Sequence, residues 1–137
     1  MKESSFQLVG KPQVTKVQFE VNKEYFFEKE VALEISNNVR VIKNKDEQKQ
    51  DSIVVLSIGI FSSEEHTDVP FKISIEIQGC FIWDEKLAKD TVQLDAMLRQ
   101  NAPAALYSYL RPIITLITVE ANMPPLVLPL MNFIEIE

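Results

Sequence analysis

With 137 residues, 46% of them apolar and 25% charged, the chain has the length and composition of a single domain, residues 1–137, that buries a core of its own. Twenty acidic against 14 basic side chains leave a formal charge of -6, with no basic stripe, which argues against a nucleic-acid partner because phosphate contacts need clustered cations. The lone Cys80 has no internal disulfide partner and fits a cytoplasmic setting, and MKESSFQLVG lacks the apolar core expected of a signal peptide.

Period-2 alternation runs through the first two thirds of the chain. Val17, Phe19 and Val21 alternate with Lys16, Gln18 and Glu20 and predict a first strand with one apolar face. Val31, Leu33 and Ile35 repeat the pattern against Glu30, Ala32 and Glu34, and Val39 and Val41 keep the parity, so a long second strand is expected. Between them, NKEYFFEKE sets Tyr25, Phe26 and Phe27 together among charges. The mixed-sign run KNKDEQKQD, residues 43–51, reads as a solvated hairpin loop. Residues 52–61, SIVVLSIGIF, are apolar on both faces and predict an internal strand. SSEEHTDVP supplies a polar turn that Pro70 closes. Phe71, Ile73, Ile75 and Ile77 then alternate with Lys72, Ser74, Glu76 and Gln78 as a fourth strand, with Gly79 marking a bulge or a close backbone approach. Strands in succession without intervening helices imply an antiparallel sheet.

DEKLAKDTVQLDAMLRQ is mixed and predicts no more than a short helical turn. Asn101 is placed as an N-cap, with Pro103 in the first turn of the helix that follows. Leu106, Tyr107, Tyr109, Leu110, Ile113, Ile114, Leu116, Ile117 and Val119 occupy nearly all angles around that helix, and a helix apolar all round has to be covered all round. One sheet covers one side, so the pattern predicts an oligomer with Leu106, Tyr109, Leu110, Ile113, Ile114 and Ile117 at or near the interface. Pro112 is expected to kink the helix or to loosen one turn of it. Arg111, Pro112 and several hydroxyls make residues 102–119 a buried helix rather than a membrane span. Pro124 and Pro125 forbid helix and extend residues 123–130. The fold class is α+β: a four-stranded antiparallel sheet with one long helix behind it.

Catalytic chemistry is hard to assemble from these residues. The single His66 lies in the turn EEHTD, where Glu64, Glu65 and Asp68 match no known metal-ligand spacing. Three glycines cannot build a phosphate-cradling loop, and Cys80 in strand sequence reads as a small core residue. Trp83 and the aromatic trio read as core or interface filling, and Arg111 as structural. Neither a metal, a cofactor nor enzymatic activity is expected. What remains is apolar surface, in EYFFEKEVALEI and MPPLVLPLMNFI, which either lines a groove or completes a core.

The last third carries a resemblance. Asn101 and Pro103, then Leu106, Tyr107, Tyr109 and Arg111, then Pro124, Pro125, Leu126, Leu128, Asn132 and Phe133 follow one another as in the SecB family of protein-export chaperones. KVQFEVN, EVALEI and IQGCF resemble the family's strand motifs in register. The resemblance implies a dimer of dimers, with the helix packed between sheets. It also implies an ATP-independent holdase that binds unfolded polypeptides or precursor proteins in apolar grooves and supports protein export. Carried over, the client-binding positions are Tyr25, Phe26, Phe27, Val31, Leu33, Ile35, Leu126, Leu128 and Phe133. Glu20 matches one acidic position for docking the motor SecA, whereas Lys16 and Ser74 stand where carboxylates are expected. The chain ends soon after Phe133, where family members continue into a second helix and an acidic tail. Two rival readings are a SecB-like chaperone dedicated to one partner, such as an antitoxin of a toxin–antitoxin pair, and a carrier of a small lipid-like ligand.

Overall fold

The structure is a computed structural model and describes residues 5–26, 31–46, 48–64 and 67–133; Phe27 and His66 lie outside the described residues. Strands β1 (Phe6–Val21), β2 (Ile35–Lys43), β3 (Asp51–Ile60) and β4 (Phe71–Trp83) come first. Two short helices follow, α1 (Glu85–Lys89) and α2 (Thr91–Ala96), then a π-helical turn over Met97–Asn101 and the long helix α3 (Ala102–Glu120). The sheet is antiparallel in the order β1-β4-β3-β2, as the strand pattern implies.

β4 shows why the pattern is readable. Phe71, Ile73, Ile75, Ile77 and Phe81 turn one way into the core, and the residues between them turn to the open face. β3 is buried on both faces over Val54, Val55 and Leu56, as expected of an internal strand. Gly79 is a close approach: a Cβ there would stand 2.8 Å from Leu8 Cδ1 and 3.1 Å from Leu106 Cδ2, where β1 and α3 meet β4.

β1 begins at Phe6, well before the expected start near Lys16. Its pairing with β4 shifts register between Val9 and Gln13 and again between Val14 and Lys16, with Gly10 at φ 67 in the first irregularity. Leu8 stands opposite Phe81 and Val14 opposite Ile77, yet Val17 stands opposite Ile75, so the core-facing parity changes from even to odd. A strict period of two does not survive such a bulge.

β2 begins at Ile35, so Val31 and Leu33 are not strand residues. Their partner runs out: β3 ends at Ile60, opposite Ile35, and Phe61 adopts φ 52 and turns the chain away. One bond continues the pairing, from Phe61 N–H to Glu34 O at 3.1 Å. Within the strand, Ile35, Val39 and Val41 share the half-buried, core-packed side that parity assigned to them.

The mixed segment is more helical than its sequence indicates. Asp84 caps α1 by accepting from Leu87 N–H at 2.8 Å, and Asp90 caps α2 by accepting from Gln93 N–H at 3.1 Å. Asn101 is not a cap: it has helical φ and ψ and no capping side-chain bond, because the helix arrives through the π turn. Pro103 offers no N–H to the Arg99 carbonyl, and the wide turn closed by Ala102 N–H on Met97 O absorbs that gap. α3 continues through Pro112, which lies on the exposed side, where water can serve the carbonyl left free. It ends with Asn122 at φ 58 and Met123 N–H on Thr118 O at 3.0 Å, a Schellman closure in which asparagine takes the left-handed position.

By length and composition alone, the helical run Thr91–Glu120 is apolar enough to cross a membrane. Its inward ridge, Ala102, Leu106, Leu110, Ile114 and Thr118 at intervals of four, is committed to the sheet as a core helix.

Candidate client-binding surface

The chain after α3 doubles back along the helix and is fastened to it by side chains. The Arg111 guanidinium donates twice to Leu128 O, from Nε at 3.0 Å and Nη2 at 2.7 Å. Thr115 Oγ1 donates to Leu126 O at 2.6 Å, and Tyr107 OH donates to Pro129 O at 2.5 Å. In the other direction, Leu126 N–H donates to Thr118 Oγ1 at 3.0 Å, while that hydroxyl donates to Thr115 O at 2.8 Å. Tyr107, Arg111, Thr115 and Thr118 lie on one side of α3 at spacings of four, four and three, so a helix face grips an extended segment much as a neighbouring strand would. The prolines make this possible. They keep the segment out of helix, and its carbonyls are left for side chains to take.

This fastening decides which apolar side chains face outward. Leu128 is fully buried, Leu126, Met131 and Phe133 are half-buried against the core, and Phe133 meets the Tyr107 ring edge-on at 5.9 Å. Val127 and Leu130 point out, 70% and 86% exposed. Leu128 therefore belongs to the subunit core and offers no surface to a client, because the two Arg111 bonds to its carbonyl hold its side chain inward. Val127 and Leu130 take its place on the surface; alternation after the proline pair could have signalled Val127, but Leu130 shares the parity of the inward Leu126 and Leu128 and gives no such signal.

The crossover between β1 and β2 divides its aromatic residues in the same way. Asn22 N–H donates to Pro70 O at 2.9 Å, its side chain donates to Val69 O at 3.1 Å, and Tyr25 N–H returns to Asn22 O at 3.2 Å. That folded turn buries Tyr25, so it leaves the candidate surface, while Phe26 stands 78% exposed. Val31 and Leu33 are exposed just before β2, and Ile35 is half-buried within it. Asn37 Nδ2 lies 3.6 Å from Met131 Sδ, which brings the end of the strip beside the start of β2. β2 pairs with β3 alone, so among the described residues its outer edge carries unpaired backbone groups.

On α3, Leu106, Leu110 and Ile114 have no exposed surface in the single subunit. Their assignment to an oligomer interface is corrected by that burial: the ridge spaced by four residues faces the chain's own sheet. The half-buried Ile113 and Ile117 flank the ridge, and Tyr109, Leu116 and Val119 form the outward apolar side. Phe19, Leu116, Ile117, Glu120 and Ala121 line a cavity of about 350 Å³ at its C-terminal end.

The open face of the sheet is polar in its middle. Glu76 accepts from Arg40 Nη2 at 3.1 Å and from Thr15 Oγ1 at 2.8 Å. Glu20 is exposed and stands in register with Lys72, whose ammonium donates to Ser63 O at 3.4 Å. Cys80 faces the same side; burial, with Asp51 adding to it, pushes its thiol above the ordinary 9.0 and away from nucleophilic chemistry at neutral pH. No cluster of three or more His, Cys, Asp or Glu suited to a metal occurs among the described residues.

Burial also raises the Tyr107 phenol above the ordinary 10.0, with Arg111 working against it. A group whose folded value lies above its unfolded one contributes stability that is complete below the unfolded value and lost as pH rises through the folded value. We therefore expect stability to be insensitive to this residue below pH 10.0 and to fall above it as the phenolate loses its bond to Pro129 O. Tyr107→Phe should flatten that alkaline limb in a chemical-denaturation series, and an unchanged limb would assign it to another group.

A family model, SecB, described as preprotein translocase subunit SecB, matches residues 2–136. The uncharacterized protein MJ0357 of Methanocaldococcus jannaschii is 29% identical over 119 residues, covering 87% of this chain and 74% of that protein. Among solved structures, the SecB-like chaperone Rv1957 of Mycobacterium tuberculosis, in complex with a ChAD peptide from the HigA1 antitoxin, aligns at a TM-score of 0.67 and 16% identity. The alignment covers 93% of this chain and 88% of that one. That likeness shows the fold, with the sheet and long helix in common. With nearly its whole length matched, this chain belongs to the SecB family.

Proposed function

We propose that this protein is an ATP-independent chaperone, a holdase that keeps unfolded or partly folded polypeptide, precursor proteins included, from aggregating. The observation that carries the reading is the outer edge of β2, unpaired among the described residues, which starts directly after the exposed Val31 and Leu33 and lies beside the end of the fastened strip, on which Val127 and Leu130 are exposed; Phe26 adds an exposed aromatic in the crossover. An extended client gains backbone hydrogen bonds along such an edge and shallow apolar contacts beside it, with little demand on its sequence. On this reading the protein binds without catalysing a reaction, needs no cofactor and works in the cytoplasm. The outward side of α3, with Tyr109, Leu116 and Val119, is where a second copy would cover apolar surface, and a dimer of dimers is the assembly that fits the family. A contribution to export through SecA would rest on Glu20 with little support around it, so weak affinity for that motor accompanies the proposal.

The direct test is suppression of aggregation of a chemically unfolded generic client by stoichiometric protein without nucleotide. Protection is the expected result. Leu33→Asp should then weaken client binding by about tenfold to a hundredfold, the worth of one leucine-sized apolar contact. Equal affinity would move the groove away from the β2 edge. A second reading, a chaperone dedicated to one partner such as an antitoxin, is favoured by the antitoxin-derived peptide bound to the M. tuberculosis neighbour. Folded, assembled protein that fails to protect generic clients would make that reading the better one.

A further inference from the structure

A pocket of about 620 Å³ lies at the end of the sheet farthest from the strip's proline pair, between the β2–β3 hairpin loop and the short helices. Its volume is within the range of small-ligand sites. Leu98, fully buried in the π turn, and the half-buried Leu94 of α2 line it with Ala88 and the edge of Trp83. The Trp83 ring is held by stacking on Phe6, with centroids 6.4 Å apart and planes 14° from parallel, so the indole is a fixed wall. Lys43, Lys45 and Lys49 line the pocket from the loop side. Among the described residues none of these three ammonium groups has a carboxylate within ion-pair distance. Asp51 is the one acidic residue in the lining; it accepts from Asn44 Nδ2 at 2.8 Å and keeps its negative charge beside the lysines.

The described residues of the loop are tied by hydrogen bonds. Asp46 N–H donates to Asn44 Oδ1 at 2.9 Å, Gln48 N–H to Asp46 Oδ1 at 3.0 Å, and Trp83 N–H ties β4 to Gln50 O at 3.2 Å. The run 43–51 is balanced as a whole, with Asp46, Glu47 and Asp51 against its three lysines, but the pocket lining itself has three lysines to one carboxylate over an apolar and aromatic floor. A charged head meets the lysines and an apolar body meets Trp83, Leu94 and Leu98. A neutral or cationic ligand would leave the lysines unused, and a small inorganic anion would leave the floor wet.

We propose that this pocket binds a small amphipathic carboxylate, with its head on Lys43, Lys45 and Lys49 and its apolar body against Trp83, Leu94 and Leu98. The inference is independent of the holdase reading, since it concerns other residues and a different end of the sheet. Trp83 is the only tryptophan in the chain, so its emission reports the site directly.

The probe is decanoate below its micelle concentration, titrated into the full-length protein while Trp83 emission is followed. We expect a saturable change, about tenfold weaker binding in Lys45→Gln/Lys49→Gln, and weakening with added salt. Decanol, with the same body and no charge, should bind about tenfold more weakly than decanoate. Absence of a saturable change would overturn the proposal. So would equal affinity for decanol, or equal affinity in the double variant, since either result would mean that the lysines do not select the head group. Client protection by the same samples is read separately, so loss of one property does not count against the other.

Discussion

Leu110→Asp is expected to abolish the folded state rather than to split an assembly. Leu110 has no exposed surface and sits mid-ridge on α3, within the core that β3 and β4 cover. Truncating a buried leucine costs about 2–5 kcal/mol in packing, and an unpaired buried carboxylate adds several more. Against a total stability of roughly 5–15 kcal/mol for a domain, the sum leaves little or none. Circular dichroism and urea unfolding should find a chain without a cooperative transition. Leu116→Asp, on the outward side of the same helix and 59% exposed, should keep the fold and lower the solution mass. A folded Leu110→Asp protein of reduced mass would return Leu110 to the subunit boundary.

Arg111→Met is expected to free the strip from the helix while leaving the sheet intact. The substitution removes both bonds to Leu128 O, and bonds to a charged donor contribute about 1.5–3 kcal/mol each. Because the two share one acceptor and part of the side chain is solvated, a loss of about 2–4 kcal/mol is the reasonable scale. Once the centre of the ladder is open, the bonds from Thr115 and Tyr107 on either side are strained to hold alone. Hydrogen exchange at the Leu126 amide, which Thr118 Oγ1 accepts, should speed up by at least about tenfold, while β3 amides keep their protection. Unchanged exchange at Leu126 would mean that apolar contacts of Leu126 and Leu128, not the ladder, hold the strip. Client affinity should change as well, because Val127 and Leu130 would no longer be displayed at a fixed place.

Much of this architecture was readable in the chain where one period governs a whole element. β4 follows from alternation and β3 from a run apolar on both faces, and Gly79 marks a close approach that Leu8 and Leu106 make, whereas a helix apolar all round did not show which of its sides, the ridge of Leu106, Leu110 and Ile114, packs on the sheet. Reading failed where the period was interrupted. The bulges concealed the first half of β1, and the left-handed Phe61 shortened β2 from outside that strand's own sequence. Where the mixed segment suggested no more than one short helical turn, α1 and α2 form two, each with an ordinary N-cap in Asp84 and Asp90, because helices this short carry no period to register.

For the candidate site the division is different. The sequence by itself determined that an apolar, proline-stiffened segment would follow an apolar helix bearing one arginine, and that the crossover would carry aromatic residues, because composition and the absence of a backbone donor are local properties. Only the tertiary structure decided which of those residues face solvent. Leu128 and Tyr25 turn inward, and Val127, Leu130 and Phe26 turn outward, through bonds made by Arg111, Thr115, Tyr107, Asn22 and Pro70 from elsewhere in the chain. An extended segment has no intrinsic buried side. Its inside is set by the surface that it is bonded to, and that surface exists only once the helix has packed on the sheet.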